Sequence, residues 1–279
     1  MTRISASLIC LLLPLFMWGQ EDICIGRKYT IHSDVLQEER EYWVYLPENY
    51  VRDEAEKYPV IYLLDGDSFF YSLVGITKTF LSGRGKHTSS IIVGVLNTDR
   101  TRDLTPTASA AGRDGKIDPN TFPQGGGSET FNRFLTVELR EHIDHTYRIN
   151  GQNMLIGHSY AGLFTLNTFL RHTELFDDYL VLDPSLWWDQ GKLAAEAEEL
   201  IKEKDFTGKS LYVGVASKKR TDRVNIHLDK VNHLLSEVLP QAKNLRFFSK
   251  SFPEEHHGTV AVPGIFDGLK QLLYNKQIN

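Results

Sequence analysis

Runs in which almost every residue is apolar recur along the chain at 58–64, 90–96, 154–157, 179–182 and 211–216, and 245–252, more mixed, is read with them. Continuous apolar runs of this length predict strands covered on both faces. Residues 40–46 differ: polar and apolar positions alternate up to Pro47, which predicts an early strand with one wet face. Between these runs the period lengthens to that of a helix. Residues 128–145 place Phe131, Phe134, Leu135, Leu139 and Ile143 on one side. Leu163, Leu166 and Leu170 do the same after Gly162, and 192–204, 224–239 and 266–274 behave alike. Strands alternating with helices predict an α/β fold, a mostly parallel central sheet with helices on both faces.

One stretch breaks the rhythm. Residues 97–127 have no apolar period and carry Gly112, Gly115, Gly125, Gly126 and Gly127 with Pro106, Pro119 and Pro123. That is too long for a plain connection. Two readings stand side by side: a mobile surface insertion, or a loop closing over a site at the strand ends where ligands bind in such sheets. No repeat, linker or composition shift divides residues 21–279, which reads as a single domain.

Residues 1–20 read as a secretory signal peptide, with Arg3 at the start, an apolar run over 4–18 and Gly19 before a polar stretch. The expectation is therefore an exported protein, periplasmic or secreted. The apolar run is too short for a comfortable bilayer crossing, so no membrane span is expected once it is removed. Of the two cysteines, Cys10 lies in this segment and Cys24 just after it, so no disulfide is expected.

The 279 residues are 41% hydrophobic and 24% charged, a globular composition large enough for a sizeable core. The formal charge is −5 with no long basic run, which argues against nucleic acid or an acidic membrane surface as partner.

The candidate chemistry centres on Gly157-His158-Ser159-Tyr160-Ala161-Gly162. An apolar run stops at a glycine, presents one serine and continues into helical periodicity. So tight a turn needs small residues, and it pushes the hydroxyl out of the sheet beside the free N–H groups of a helix start. That is the geometry of a nucleophilic serine. The usual pattern is Gly-x-Ser-x-Gly; here Ala161 takes the last place. The competing reading is an ordinary strand–loop–helix junction.

A serine needs a base. Of ten histidines, His257 stands directly before Gly258 in the loop after the last strand, with His256 as the alternate. The His158 side chain is expected to point away from the nucleophile, and His142 and His145 read as solvated. Three options stay open for the acid: Asp222 after the run 211–216, Asp183 after the preceding strand, or no acid and a Ser–His dyad. The backbone N–H groups of Tyr160 and Asp67 are the expected oxyanion donors. No paired-cysteine or HExxH spacing suggests a metal, and no cofactor is required.

Several motifs occur in order: Tyr58-Pro59-Val60-Ile61-Tyr62-Leu63-Leu64-Asp65-Gly66, Asn97 to Pro106, Gly157-His158-Ser159, Pro184-Ser185-Leu186-Trp187-Trp188 and His257-Gly258-Thr259. Together they resemble the esterase D-like branch of the α/β hydrolases. That branch holds enterochelin and other trilactone siderophore esterases, feruloyl and acetyl esterases, and mycolyltransferases. The resemblance implies the α/β-hydrolase fold and a small-molecule ester cleaved through an acyl-enzyme by Ser159 and His257. It also implies that Arg100 and Arg102 lie near the cleft, against the plainer alternative of ion pairs with Asp99 or Asp103. Trp187 and Trp188 are placed either on the pocket wall or as one core and one surface residue. The chain departs from its relatives at Ala161 and in having no acid directly after Ala216. Three other functions compete with siderophore ester hydrolysis: acyl transfer to an alcohol, carbohydrate acetyl or feruloyl ester cleavage, and a non-catalytic binding role.

Overall fold

The apolar runs become neighbouring strands of one eight-stranded sheet. A computed structural model describes residues 22–52, 54–81, 89–217 and 228–274. The strands of the large sheet are β1 (Arg27–Ser33), β2 (Glu38–Tyr45), β3 (Tyr58–Leu64), β4 (Ile91–Val95), β7 (Ile149–His158), β8 (Asp178–Leu182), β9 (Ser210–Ala216) and β10 (Arg246–Phe252). β5 (Ser109–Ala111) and β6 (Ile117–Phe122) pair separately as a hairpin. The order in the large sheet is β1-β2-β4-β3-β7-β8-β9-β10. β1 and β2 run antiparallel to their neighbours, and every pairing from β4 to β10 is parallel.

Helices cover both faces. α1 (Gly66–Ile76) and α8 (Ala261–Leu269) pack on one side, where Phe70, Leu73, Ile265 and Leu269 meet Ile61, Leu63, Met154, Ile156, Leu180 and Leu182. The other side carries α3 (Ser128–Arg133), which runs through a wider turn into α4 (Arg140–Thr146), with α5 (Tyr160–Arg171) and α6 (Lys192–Ile201). There Phe131, Phe134, Leu163, Leu166 and Ala197 meet Val60, Tyr62, Leu155, Tyr179 and Val181. Alternate residues of β3, β7 and β8 thus enter opposite cores, which is why these strands are apolar throughout. Each Leu or Phe withdrawn from water contributes about 1.5–3 kcal/mol. The short α2 (Arg100–Leu104) and α7 (Leu228–His233) complete the set. None of the described helices is long and apolar enough to cross a membrane.

Three elements lie outside the sequence expectation. β1 pairs with β2, but its apolar Tyr29 and Ile31 are only half-buried and its other residues are polar, so the run carries little signal. α1 buries only Gly66, Phe70, Leu73 and Val74, and it begins within an Asp-Gly-Asp that reads as a turn. The stretch 97–127 is folded, holding α2 and the β5–β6 hairpin. It is pinned by the buried Arg40–Asp103 pair (2.7 Å) and by bonds from Trp188 Nε1 to the Thr107 carbonyl (3.0 Å) and from Thr107 Oγ1 to Asp189 (2.9 Å). The expected signal segment 1–20, Asp222 and the first turn of the helix expected over 224–239 lie outside the described residues.

Candidate active site

β7 ends at His158 and α5 begins at Tyr160, leaving Ser159 alone in the bend. The bend is closed so tightly that a Cβ at Gly157 would stand 2.1 Å from the Ala161 carbonyl oxygen. Only glycine fits there. Ala161 itself sits inside α5 and is fully buried, so a methyl group at that position is accommodated. Ser159 has φ 63 and ψ −118, a conformation that is costly for a residue with a side chain. Three backbone bonds hold it: its N–H to the Leu182 carbonyl, and its own carbonyl to the N–H groups of Leu163 and Ser185.

The strand order then decides what surrounds the hydroxyl. β7 and β8 are adjacent, β10 lies two strands beyond β8, and all run parallel, so the loops after them share one edge of the sheet. His257, on the loop after β10, places Nε2 3.0 Å from Ser159 Oγ. Its Nδ1 is 2.6 Å from Asp183 Oδ2. Asp183 follows β8 with φ 39, donates its N–H to the Gly214 carbonyl (2.7 Å), and accepts at Oδ1 from the Ala216 amide (3.1 Å). The carboxylate on His257 is therefore that of Asp183, one of the three options left open by the sequence, while Asp222 lies outside the described residues. The acid stands one strand earlier because β9 offers the hydrogen bonds that seat it. His256, the alternate base, is turned elsewhere: its Nδ1 accepts from the Gly258 amide at 3.1 Å within the loop.

Sequence reasoning missed Ser185. Its buried hydroxyl lies 3.4 Å from Ser159 Oγ, and its amide donates to the Ser159 carbonyl. It belongs to the Pro184-Ser185-Leu186-Trp187-Trp188 motif, which was the available signal.

Both expected oxyanion donors stand at helix starts. Tyr160 is the first residue of α5 and Asp67 the second of α1, positions whose N–H groups have no acceptor within the helix. These helices leave the same edge of the adjacent strands β7 and β3, so their positive ends face one region. α1 can start so close to the sheet because Gly66 lies against β4, where a Cβ would stand 2.7 Å from the Gly94 backbone.

The arginines divide. Arg100 is bidentate on Asp65, at 2.7 and 2.8 Å, and its guanidinium carbon lies 5.2 Å over the Tyr160 ring. Burial works against its charge, and the Asp65 carboxylate outweighs it, so the pKa is raised. Its side chain remains 36% exposed beside the serine turn. Arg102 is instead bound to Glu38 (2.6 Å) and Asp103 (2.7 Å), while Asp99 caps α2 through the Arg102 amide. Its guanidinium is committed to joining α2 and β2, the ion-pair alternative with Asp103.

Trp187 and Trp188 are both buried, at 8% and 2% exposure, so neither is a surface residue. They pack on the Tyr160 ring at 5.9 and 5.3 Å, and Phe122 of β6 and Arg113 of the β5–β6 turn close over Trp187. The folded insertion thus covers the aromatic residues behind the nucleophile. A separate groove of about 650 Å³, lined by Leu163, Arg171, Trp188 and Lys192 among others, lies against α5 and α6 and includes none of Ser159, Asp183 or His257. Among the described residues no group of three or more His, Cys, Asp or Glu side chains is placed to hold a metal ion.

Hydroxyl, imidazole and carboxylate in this order can pass the serine proton to the ring while the carboxylate fixes the ring's tautomer. Known proteins resemble this chain. The family described as "Putative esterase" matches residues 33–259. The chain is 27% identical over 176 residues to the ferri-bacillibactin esterase of Bacillus subtilis, a stretch that spans 59% of this chain and 60% of that protein. It is 25% identical over 249 residues to the siderophore enterobactin esterase of Emericella nidulans, covering 75% and 80% of the two. Among solved structures, an IroE-like serine hydrolase from Shewanella oneidensis superposes with a TM-score of 0.80 at 33% identity, over 90% of this chain and 80% of that one. With the family match running from Ser33 to Thr259 and enclosing Ser159, Asp183 and His257, the chain belongs to this esterase family of the α/β-hydrolase fold.

Proposed function

We propose that this protein is a serine esterase that hydrolyses siderophore esters through an acyl-enzyme. One observation carries the chemistry: the continuous hydrogen-bonded path Ser159–His257–Asp183, at 3.0 and 2.6 Å. His257 Nε2 takes the proton of Ser159 Oγ as that oxygen attacks the ester carbonyl. The tetrahedral oxyanion is held by the N–H groups of Tyr160 and Asp67. His257 then protonates the leaving alcohol, and a water activated by the same ring releases the acid. Asp183 keeps Nδ1 protonated and balances the imidazolium. The substrate class is supported by the relatives, two of which are named for siderophore ester cleavage. Arg100, about a third exposed beside Tyr160 and paired with Asp65, is the basic side chain next to the serine turn.

The test is a panel of p-nitrophenyl esters run beside a cyclic trilactone siderophore, iron-loaded and iron-free, on wild type and Ser159→Ala. Wild type releases the linear siderophore acid. The variant loses about 10³-fold or more of kcat and is not labelled by a fluorophosphonate. Equal turnover in the two proteins removes Ser159 from the mechanism. Ester products that appear only when an alcohol is added would favour acyl transfer.

Export is part of the same proposal and rests on Arg3 with the apolar run 4–18. The mass of the protein recovered from its producing cell tests it, with loss of about the first twenty residues expected.

A further inference from the structure

His158 occupies the variable position of Gly-x-Ser, where the pattern itself asks for nothing. Its side chain nevertheless makes a specific contact. Nε2 lies 2.9 Å from the main-chain carbonyl of His257. A carbonyl only accepts, so Nε2 carries the hydrogen and donates it. The two rings are neighbours, 4.7 Å between centroids and tilted by 36°, with the Phe69 ring edge-on to His158 at 5.7 Å.

We propose that His158 is a positioning residue for catalysis, a strut from the rigid end of β7 that fixes the main chain of the loop carrying His257. The inference rests on the Ser159–His257–Asp183 assignment above. Its force comes from the contrast between the two ends of the contact. His158 is the last residue of a central strand and pairs in register with Leu182 of β8. The loop 253–259 follows β10, the strand at the far edge of the sheet, and Pro253, Glu254, Gly258 and Thr259 are exposed. The loop's own bonds are short-range turns: Glu255 N–H to the Phe252 carbonyl, and the Thr259 and Val260 N–H groups to the His256 carbonyl.

A loop braced only by its own turns can carry an imidazole but does not fix its distance from a hydroxyl on another strand. The two ring contacts, with Asp183 and Ser159, orient the ring. The His158 bond adds a third point, at the backbone of the same residue. With all three in place, the ring cannot move away from Ser159 without breaking a hydrogen bond.

The strut is also chemically quiet. Burial, and then the neighbouring His257, push the His158 pKa down to about 4. Its ring therefore stays neutral while His257 is charged during turnover, and no second cation opposes the imidazolium. An apolar side chain here would leave the carbonyl without this donor, and a lysine would bring a charge against the base.

The experiment compares His158→Leu with His158→Gln. The leucine removes the donor. The glutamine amide reaches about as far as Nε2 and keeps it. Three readouts are taken: steady-state kinetics on an ester, the rate of Ser159 labelling by a fluorophosphonate, and the far-downfield NMR resonance of the His257 Nδ1 proton bound to Asp183. The expectation for His158→Leu is a loss of about 10–100-fold in kcat, with KM little changed. Its labelling rate falls by a similar factor and its resonance broadens. His158→Gln stays close to wild type in all three. Circular dichroism separates these effects from unfolding, and the glutamine variant keeps the test open if the leucine variant does not fold. Wild-type rates and resonance in His158→Leu, or a His158→Gln as impaired as the leucine variant, overturn the strut. Failure of the triad itself looks different: wild type would then show neither labelling nor the downfield resonance.

Discussion

Asp183 has the wrong backbone for its task unless its neighbours hold it. Its φ of 39 is held with its N–H on the Gly214 carbonyl, and the Ala216 amide occupies the carboxylate oxygen that His257 does not use. This is why the acid was undecided in the sequence, where acids follow two successive strand runs. Nothing in residue type or spacing encodes the left-handed turn that swings one of them toward the histidine. Ser159 was legible because it follows Gly157, which the chain needs in order to bend, and His257 because it precedes a glycine in the loop after the last strand. If Asp183 orients the base, Asp183→Asn presents an amide N–H to Nδ1 and favours the wrong tautomer. We expect kcat to fall about 10²–10⁴-fold with KM nearly unchanged. His256→Ala, whose ring only braces the Gly258 turn, should cost far less. Steady-state kinetics on one ester decides both, and a loss of only a few-fold in Asp183→Asn would return the enzyme to a Ser–His dyad.

At the scale of elements, periodicity located every strand from β2 to β10 in the large sheet and the helices that bury a full apolar stripe. It failed where an element is stabilised by partners distant in sequence. The segment 97–127 is the clearest case. Its glycines and prolines hide the pattern, and its order comes from polar contacts with β2 and with the turn after Trp187. The centre of these contacts is the Arg40–Asp103 pair, each side chain 1% exposed, with Arg102 bridging Asp103 and Glu38. Asp103 holds both Arg40 and Arg102 at 2.7 Å, and without it only Glu38, at 2.8 Å, remains to the buried Arg40, so Asp103→Ala should lower stability by about 3–5 kcal/mol. The double replacement Arg40→Met with Asp103→Leu should recover most of that loss, because neither charge then remains. Denaturant unfolding of the three proteins checks this. If the single variant unfolds at the wild-type midpoint, the pair does not hold the insertion to the sheet.

For the whole molecule, the same contacts set how the fold responds to acid. The His158 pKa falls from an ordinary 6.5 to about 4, through burial first and His257 second. Between those two values the unfolded chain holds a proton that the folded chain refuses, so stability rises with pH across that window and is lost as pH falls through it. Glu38 acts in the same direction at lower pH. Its hydrogen bond from Arg102 leads the causes that hold its pKa below the usual 4.5, so its contribution is complete above 4.5 and disappears as pH falls through the depressed folded value. Stability should therefore decline in two stages, the first beginning near pH 6.5 from the active site and the second below 4.5 from the contacts that join α2 to β2. Urea midpoints measured from pH 8 down to 4 read the first stage directly. In His158→Gln, which has no titrating ring at that position, the slope between 6.5 and about 4.5 should flatten while the steeper loss below remains. An unchanged slope in the variant would mean that the proton taken up on unfolding belongs to another group, and that the neutrality of the strut is not what couples this active site to the stability of the fold.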